Sequence, residues 1–525
     1  MAADLLHKLT QETTPQQLAW FLSFFFFLSL FSVYCYSLFT ARAAAAAGNK
    51  NQQRPPPSPP ALPIIGHLHL VGSLPHVSLR GLARKHGPDV MLLRLGAVPT
   101  LVVSSPRAAE AVLRTHDHVF ASRPRSVVAD IIMYGSSDVA FAPYGEYWRQ
   151  ARKLVTTHLL SVKKVQSFRA TAAEEVSMVM VEIREAAAKG STLDMSDLLN
   201  TFANDMACRI VSGKFFRKEG RSKIFQDLIN ENSRLLGGFN VEEYFPALGR
   251  VGLLGRAICA KAERARNRWA DLLDKVIDDH LSKEKSTSDM KDGDFVDILL
   301  SIQQEYDLTR EHMKALLTDV FFGAIDTSSQ VLEYTLVELV KRPQVIRKLQ
   351  SEVRKIVPKG QEIVGEIHLN NMTYLRAVIK ESLRLHPVAL LLAPHLAMDD
   401  CDIDGCMVSA GTRVIINAWA IGRDYNSWED AEEFIPERFI ADGSAVHVNF
   451  KGNDFQFLPF GSGRRICPGI NLGIANIELM LANLMYHFDW ELPHGVENKD
   501  IDMTEVFGVT VRRKEKLLLV PKSCV

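Results

Sequence analysis

The chain has 525 residues, more than one hydrophobic core usually holds, so it is either several domains or one large one. Its 61 basic and 61 acidic residues cancel, which removes any global field that would draw it to nucleic acid. A hydrophobic content of 47% argues against disorder, and 7 scattered cysteines without C-x-x-C pairs fit reduced cytosolic thiols better than a disulfide framework or a zinc site.

Residues 18–39 read LAWFLSFFFFLSLFSVYCYSLF, an uncharged run dense in Phe and Leu and long enough as a helix to cross a hydrocarbon core. A cleaved signal peptide and a buried core helix are the competing readings. The run exceeds an ordinary signal h-region, and no net-basic stretch precedes it. Asp4, Lys8 and Glu12 lie before it and Arg42, Lys50 and Arg54 after it, which by the positive-inside rule puts the bulk of the chain in the cytosol. RPPPSPPALPIIGHL (54–68) follows; its prolines predict an extended, unhydrogen-bonded spacer, with an SH3-type ligand as the alternative. The expected layout is a short lumenal N-terminus (1–17), a transmembrane anchor (18–40), a linker with a proline-rich hinge (41–61) and one large catalytic domain (62–525).

Strand-like alternation appears in DVMLLRLGAVPTLVVSS (89–105) and RVIINAW (413–419), while most of the middle is helical in pattern, so the class is mainly α with small β-sheets. KEKSTSDMKDGD (283–294) reads as a charged surface loop. From Glu311 to Lys341 apolar residues fall around much of a helical circumference, which predicts an interior helix. Within it FFGAIDTSS (321–329) brings small residues and then Asp326 and Thr327, a costly choice in an apolar setting unless the polar groups are used. Thr327 can bond back toward the Gly323 carbonyl, loosening the helix there.

FLPFGSGRRICPGINLG (457–473) places one cysteine after a glycine-rich, doubly basic approach. Pro468 suits a first helical turn, so Cys467 is expected at a helix N-terminus, where amides and the dipole favour the thiolate. Gly461, Gly463 and Gly469 permit tight backbone around the sulfur, and Arg465 brings a cation. A soft anionic sulfur is a transition-metal ligand, and a single cysteine suits a metal carried by a macrocycle, which needs only one axial ligand.

Phe460, Gly463, Arg465, Cys467 and Gly469 match F-x-x-G-x-R-x-C-x-G, the haem-binding signature of the cytochrome P450 superfamily, and the chain resembles a plant microsomal member. KESLRLHP (380–387) supplies its E-x-x-R as Glu381 and Arg384, and PERF (436–439) supplies Arg438; in the family these resemble a buried charge network bracing the haem-side core. Trp148 and Arg152 of WRQAR look like haem-propionate contacts. His395 stands in LLLAPH where plant members commonly have an arginine, a propionate donor whose charge would depend on pH. Asp326 and Thr327 resemble the oxygen-activation motif, although Gly323 precedes Ala324 here, the reverse of the usual order.

The resemblance implies a cytochrome P450 fold with haem b on the Cys467 thiolate. It implies a monooxygenase that inserts one atom of O2 into a C–H bond, with protons relayed through Thr327 and Asp326. No Rossmann glycine fingerprint is present, so electrons come from NADPH through a membrane-bound flavoprotein reductase, with Arg149, Lys153 and Arg464 as candidate docking charges. The implied location is the endoplasmic reticulum membrane with the catalytic domain facing the cytosol. Ile131, Met133, Phe321, Ala324, Val388, Ala389, Phe507 and Val509 are the expected pocket walls, nearly all apolar, for a small uncharged aromatic or terpenoid substrate. LPIIGHLHL and VAFAPYGEYWRQARK look like grass enzymes that hydroxylate indole-derived intermediates of benzoxazinoid defence compounds. A haem-thiolate isomerase or dehydratase and a membrane-tethered haem sensor are the rival readings.

Overall fold

In the computed structural model the described residues are 19–21, 23–25, 28–29, 54–213, 222–238, 240–245, 253–282 and 293–524. The expected N-terminus (1–17) and most of the expected anchor (18–40) and of the 283–294 loop lie outside them. The described residues of the anchor are helical, and Trp20, Phe21, Phe24, Phe25 and Leu28 among them are exposed. Among the described residues no helix is long and apolar enough to cross a membrane.

The longer helices are α1 (Pro75–His86), α2 (Glu146–Leu154), α3 (Arg169–Lys189), α4 (Met195–Ser212), α5 (Ser222–Gly237), α6 (Leu253–Leu281), α7 (Arg310–Lys341), α8 (Pro343–Ile356), α9 (Thr373–Leu385) and α10 (Ile470–His487). The strands are short: β1 (Val90–Leu95), β2 (Val98–Val103), β3 (Leu193–Asp194), β4 (His395–Leu396), β5 (Cys401–Ile403), β6 (Cys406–Val408), β7 (Arg413–Ile416), β8 (Phe488–Glu491), β9 (Glu505–Val506), β10 (Arg512–Arg513) and β11 (Leu518–Ser523). They form a four-stranded sheet in the order β1-β2-β7-β4, a three-stranded sheet β3-β11-β8 and the hairpins β5-β6 and β9-β10. The expected strand over 413–419 ends at Ile416 because the Asn417 side chain caps the next helical turn, accepting from the Ala420 amide at 3.0 Å.

α7 is the axis of the helical layer and packs most extensively on α4. Thr309 starts it with a reciprocal cap, its hydroxyl accepting from the His312 amide at 3.1 Å while the His312 ring accepts from the Thr309 amide. Pro343 stops it by disfavouring helical backbone at Arg342. The helix runs unbroken for 32 residues through the FFGAIDTSS stretch.

The proline-rich segment is not the free spacer that its composition predicts. The Pro57 carbonyl accepts from the Leu92 amide of β1 at 2.8 Å, and the buried ring of His67 bridges the Pro59 carbonyl at 2.8 Å and the Arg94 amide at 2.7 Å. Proline carbonyls remain good acceptors, and the edge of β1 supplies donors, so the globular unit begins near residue 54 rather than 62.

Beneath the helical layer, Glu381 and Arg384 on α9 form a two-pronged pair at 2.7 and 2.8 Å, and Arg438 reaches the same carboxylate at 3.1 Å. Arg384 also donates to the carbonyls of Gly422, Ala431 and Glu433, and Arg438 to those of Glu429 and Asp430. All three side chains are buried, so their charges are tolerable only because every donor is used. Lysine cannot reproduce a planar fork that spans a carboxylate and three carbonyls. Arg384→Lys is therefore expected to lose roughly 3–5 kcal/mol of stability, read as a lowered urea midpoint by circular dichroism; an unchanged midpoint would contradict this account of the network.

Candidate active site

The loop ahead of α10 is shaped by two left-handed glycines, Gly461 at φ 68° and Gly463 at φ 67°. A Cβ on Gly463 would sit 2.3 Å from the Leu113 carbonyl oxygen, so this position admits only glycine. The turn closes when the Cys467 amide donates to the Phe460 carbonyl at 3.0 Å and the Ile466 amide to Gly463 at 3.1 Å. Cys467 lies before Gly469, the residue that precedes the first turn of α10, so it is close to the helix end without being inside it.

The expected lowering of its pKa is not what results. Burial pushes the Cys467 thiol up, and the Gly469 amide and the Arg152 charge, which pull the other way, are outweighed. Proximity to a helix end is the weaker effect once the sulfur leaves water, and a bound cation is what would hold this side chain as thiolate.

Arg152 acts on the sulfur, and Arg465 and Arg123 stand in succession beyond it. Arg465 donates to the carbonyls of Ala121 at 2.7 Å, Val139 at 3.1 Å and Ala142 at 2.6 Å, and its guanidinium lies 4.2 Å from the centre of the Trp148 ring. The Trp148 indole, on α2, donates to the same Val139 carbonyl at 3.1 Å, and Arg152, one turn further along α2, reaches the Ile466 carbonyl. Arg123 donates to Ala140 at 2.9 Å, Ala393 at 2.7 Å and Pro394 at 3.0 Å. Burial lowers Arg465 to about 9, with the neighbouring Arg123 charge adding to the shift. It lowers Arg123 to about 10 against the pull of Asp138 and Asp319.

Those two aspartates are the local carboxylates. Asp319, on α7, accepts from the Val139 amide at 3.1 Å and the Ala140 amide at 3.2 Å, and Asp138 accepts from the Phe141 amide at 3.0 Å. Burial pushes both carboxyls up, and Asp319 pushes Asp138 further. The pair thus carries fewer than two negative charges near neutral pH, and the three guanidiniums are under-compensated.

Between its ends α7 is buried except on one face, where Asp319, Val320, Gly323, Ala324 and Thr327 keep partial or full exposure at helical spacing. A Cβ on Gly323 would meet nothing within 4 Å. The Thr327 hydroxyl donates to the Gly323 carbonyl at 2.6 Å, as its position predicts. Asp326 points elsewhere, its carboxylate accepting from the Thr510 hydroxyl in the β9-β10 turn. Burial raises the Asp326 carboxyl against the Thr510 bond and the Arg512 charge.

A sulfur ligand, an excess of buried cations and an open helix face together fit a macrocycle that carries one metal and two carboxylates. The matching family model is Cytochrome P450, over residues 56–520. The chain belongs to the cytochrome P450 family. It is 57% identical to an indole-2-monooxygenase of Zea mays over 89% of this chain and 87% of that relative. It is 53% identical to an indolin-2-one monooxygenase of the same species over 88% of each, and 50% identical to its 3-hydroxyindolin-2-one monooxygenase over 99% and 98%. Among solved structures, a zebra fish cytochrome P450 with progesterone superposes with a TM-score of 0.73 at 26% identity, covering 85% of this chain and 99% of that one. This cytochrome P450 is a haem-thiolate monooxygenase that uses O2, a small substrate and a redox partner.

The sequence-expected residues are brought together unevenly. Phe460, Gly463, Arg465, Cys467, Gly469, Trp148 and Arg152 share one neighbourhood, whereas Glu381, Arg384 and Arg438 lie in the brace described above. His395, expected as a pH-dependent donor, has its ring oriented by a backbone partner. Its Nδ1 faces the Phe120 carbonyl at 2.7 Å and must carry the proton, which leaves the other ring nitrogen as an acceptor in the neutral form. Arg123, adjacent to it, is the cation that sequence reading missed. In FASRPRS nothing distinguishes buried Arg123 from Arg125, which pairs with Asp130 at the surface. Asp138, Asp319 and Thr510 were also missed, since none stands in a motif.

Of the expected pocket walls, Ile131, Ala324, Ala389, Phe507 and Val509 retain partial exposure, while Met133, Phe321 and Val388 are buried. Phe321 lies on another side of α7, 5.0 Å from Phe225 and 5.7 Å from Trp269 between ring centres. Met133 packs with Val128 and Ala262, and the Phe507 ring stacks on His76.

Burial, followed by the Arg123 charge, drops His395 from 6.5 to about 3. Unfolding lets this ring take a proton that the folded state refuses. Its contribution is whole above pH 6.5 and is lost as pH falls toward about 3, by at most about 1.4 kcal/mol per pH unit. His395→Gln keeps an N–H for Phe120 and removes the titration. Its urea midpoint is expected to fall less steeply with acidification below pH 6.5 than that of the parent; parallel curves would refute the assignment.

Proposed function

We propose that this cytochrome P450 hydroxylates a small, uncharged, indole-derived compound, drawing electrons from an NADPH-dependent flavoprotein reductase while anchored by residues 18–40 in the endoplasmic reticulum membrane with its catalytic domain in the cytosol. The observation that carries the substrate class is the agreement among the Zea mays relatives: three at 50–57% identity are named for indole or indolinone monooxygenation. The apolar character of the expected walls supports an uncharged ligand. The uncharged run at 18–39 and the basic residues behind it support the anchor and its orientation.

Cys467 would hold the haem iron, and Arg123, Arg152, Arg465 and Trp148 would hold its carboxylates. Haem with a thiolate ligand supplies O–O bond cleavage and C–H oxidation. The chain's own residues do the rest. The Gly469 amide and Arg152 stabilise negative charge on the sulfur. Thr327 keeps its hydroxyl at the open face of α7, and Asp326, buried and shifted toward its protonated form, is the nearby proton source. Apolar walls exclude bulk water from the reacting carbon. Exposed Arg149, Lys153 and Arg464 are candidate charges for the reductase face, with Arg149 also paired to Glu146 and Arg464 to Asp117.

The test is a microsomal incubation with reductase, NADPH and a panel of indole, indolin-2-one, phenolic and terpenoid compounds, followed by product analysis. A hydroxylated indolic product that depends on O2 and NADPH is expected. Turnover without O2 would favour an isomerase or dehydratase, and bound haem that never opens a coordination site would favour a sensor. Cys467→Ser is expected to abolish the long-wavelength Soret band of the reduced carbon monoxide complex and to bring product to background. Retention of both would overturn the ligand assignment.

A further inference from the structure

We propose that Thr510 and Ser233 form a hydroxyl relay that recharges Asp326 with protons by way of partly exposed Ser233 on α5. The inference rests on the reading of Asp326 as the proton source and adds where its protons come from.

Asp326 is buried, and Thr510, also buried, is the hydroxyl donor to its carboxylate. With its proton committed to Asp326, the Thr510 oxygen keeps lone pairs free to accept, and the Ser233 hydroxyl lies 3.4 Å away. Ser233 belongs to α5 and is partly exposed, so the chain Ser233, Thr510, Asp326 leads from partial exposure to a buried carboxyl on the helix that carries Thr327.

The alignment is imposed by packing. A Cβ on Gly237 of α5 would meet the Val509 amide nitrogen at 2.3 Å, and one on Gly508 would meet the Ser233 hydroxyl at 3.0 Å, so helix and hairpin turn are in backbone contact. Arg512 of β10 donates to the Asn230 side chain of α5 at 3.1 Å, one turn before Ser233. From the other side, Glu505 of β9 pairs with buried His76 at 3.0 Å, and Phe507 stacks on that ring. The hairpin that carries Thr510 is thereby braced on both faces.

The transfer balances without a further reagent. When Asp326 gives up its proton it becomes a carboxylate, the Thr510 hydroxyl proton moves onto it, the Ser233 proton moves onto Thr510, and water supplies Ser233. No electrons move: Asp326, Thr510 and Ser233 each end with the protons they began with, and the one proton delivered is taken from water, whose hydroxide the bulk buffer neutralises.

The test uses the full-length haem protein with reductase, NADPH and the best substrate from the panel. It measures product formed per NADPH oxidised and the solvent deuterium isotope effect for the parent, Thr510→Val, Thr510→Ser, Ser233→Ala and Asp326→Asn. Thr510→Val is expected to lower coupling by up to the roughly 10²-fold that a positioned proton donor contributes, with the NADPH diverted to peroxide. Thr510→Ser is expected to restore coupling, and Ser233→Ala to enlarge the isotope effect. Adding Thr510→Val to Asp326→Asn is expected to cost nothing more. Parental coupling in Thr510→Val beside impaired coupling in Asp326→Asn would overturn the relay and leave the Asp326 reading standing. Parental coupling in Asp326→Asn would remove that reading and the relay with it. A substrate-binding spectral titration separates both results from a disturbed pocket, because loss of coupling at unchanged affinity is not a packing effect.

Discussion

The peptide group of Val139 is held from both sides, and the site is assembled around it. Its amide donates to Asp319 on α7 and its carbonyl accepts from both Trp148 and Arg465. One residue thus ties α7, α2 and the cysteine loop to a single point. An interior carbonyl without a donor costs about 1–3 kcal/mol, so the three elements are held in register by the need to satisfy it. Cys467 inherits its position from that register, since Arg465 is two residues away in a turn that the Gly463 backbone conformation already restricts.

Charge balance follows from the same geometry. Arg123, Arg152 and Arg465 are drawn inside because loop carbonyls solvate them, not because enough carboxylates face them. Asp138 and Asp319 resist ionisation in that setting, which leaves the neighbourhood suited to an anionic guest. The brace at Glu381 is the opposite arrangement. There the carboxylate is shared between two guanidiniums and the remaining donors end on carbonyls, so the charges are satisfied internally and the network serves rigidity rather than binding.

The chemistry-bearing helix serves two neighbours. Along one face α7 offers Thr327 and Gly323 to the open side, and one residue from Thr327 it sends Asp326 to the β9-β10 turn. Adjacent helical positions differ by about 100°, so an acid and a hydroxyl next to each other in sequence necessarily address different surroundings. The C-terminal hairpin is therefore tied to α7 through a buried side-chain hydrogen bond.

Local signals were legible wherever the physics is local. The periodicity of 311–341, the proline that ends α7, the glycine-rich turn before Cys467 and the i, i+3 spacing of Glu381 and Arg384 each depend on residues close in sequence, and the amino-acid sequence by itself determined the mainly helical class, the family signature around Cys467 and the buried ion-pair brace. Local rules misjudged the proline segment, whose carbonyls found donors on β1, and they say nothing of the burial that pushes the free Cys467 thiol up. Only the tertiary structure decided which of Arg123 and Arg125 goes inside, that His395 keeps its proton for Phe120, that Asp319 pins Val139, and that Thr510 meets Asp326. In each case the partners are far apart along the chain. A hydrogen bond or a desolvated charge has its energy set by what packing brings within about 3 Å, and that distance is not written in the spacing of any motif.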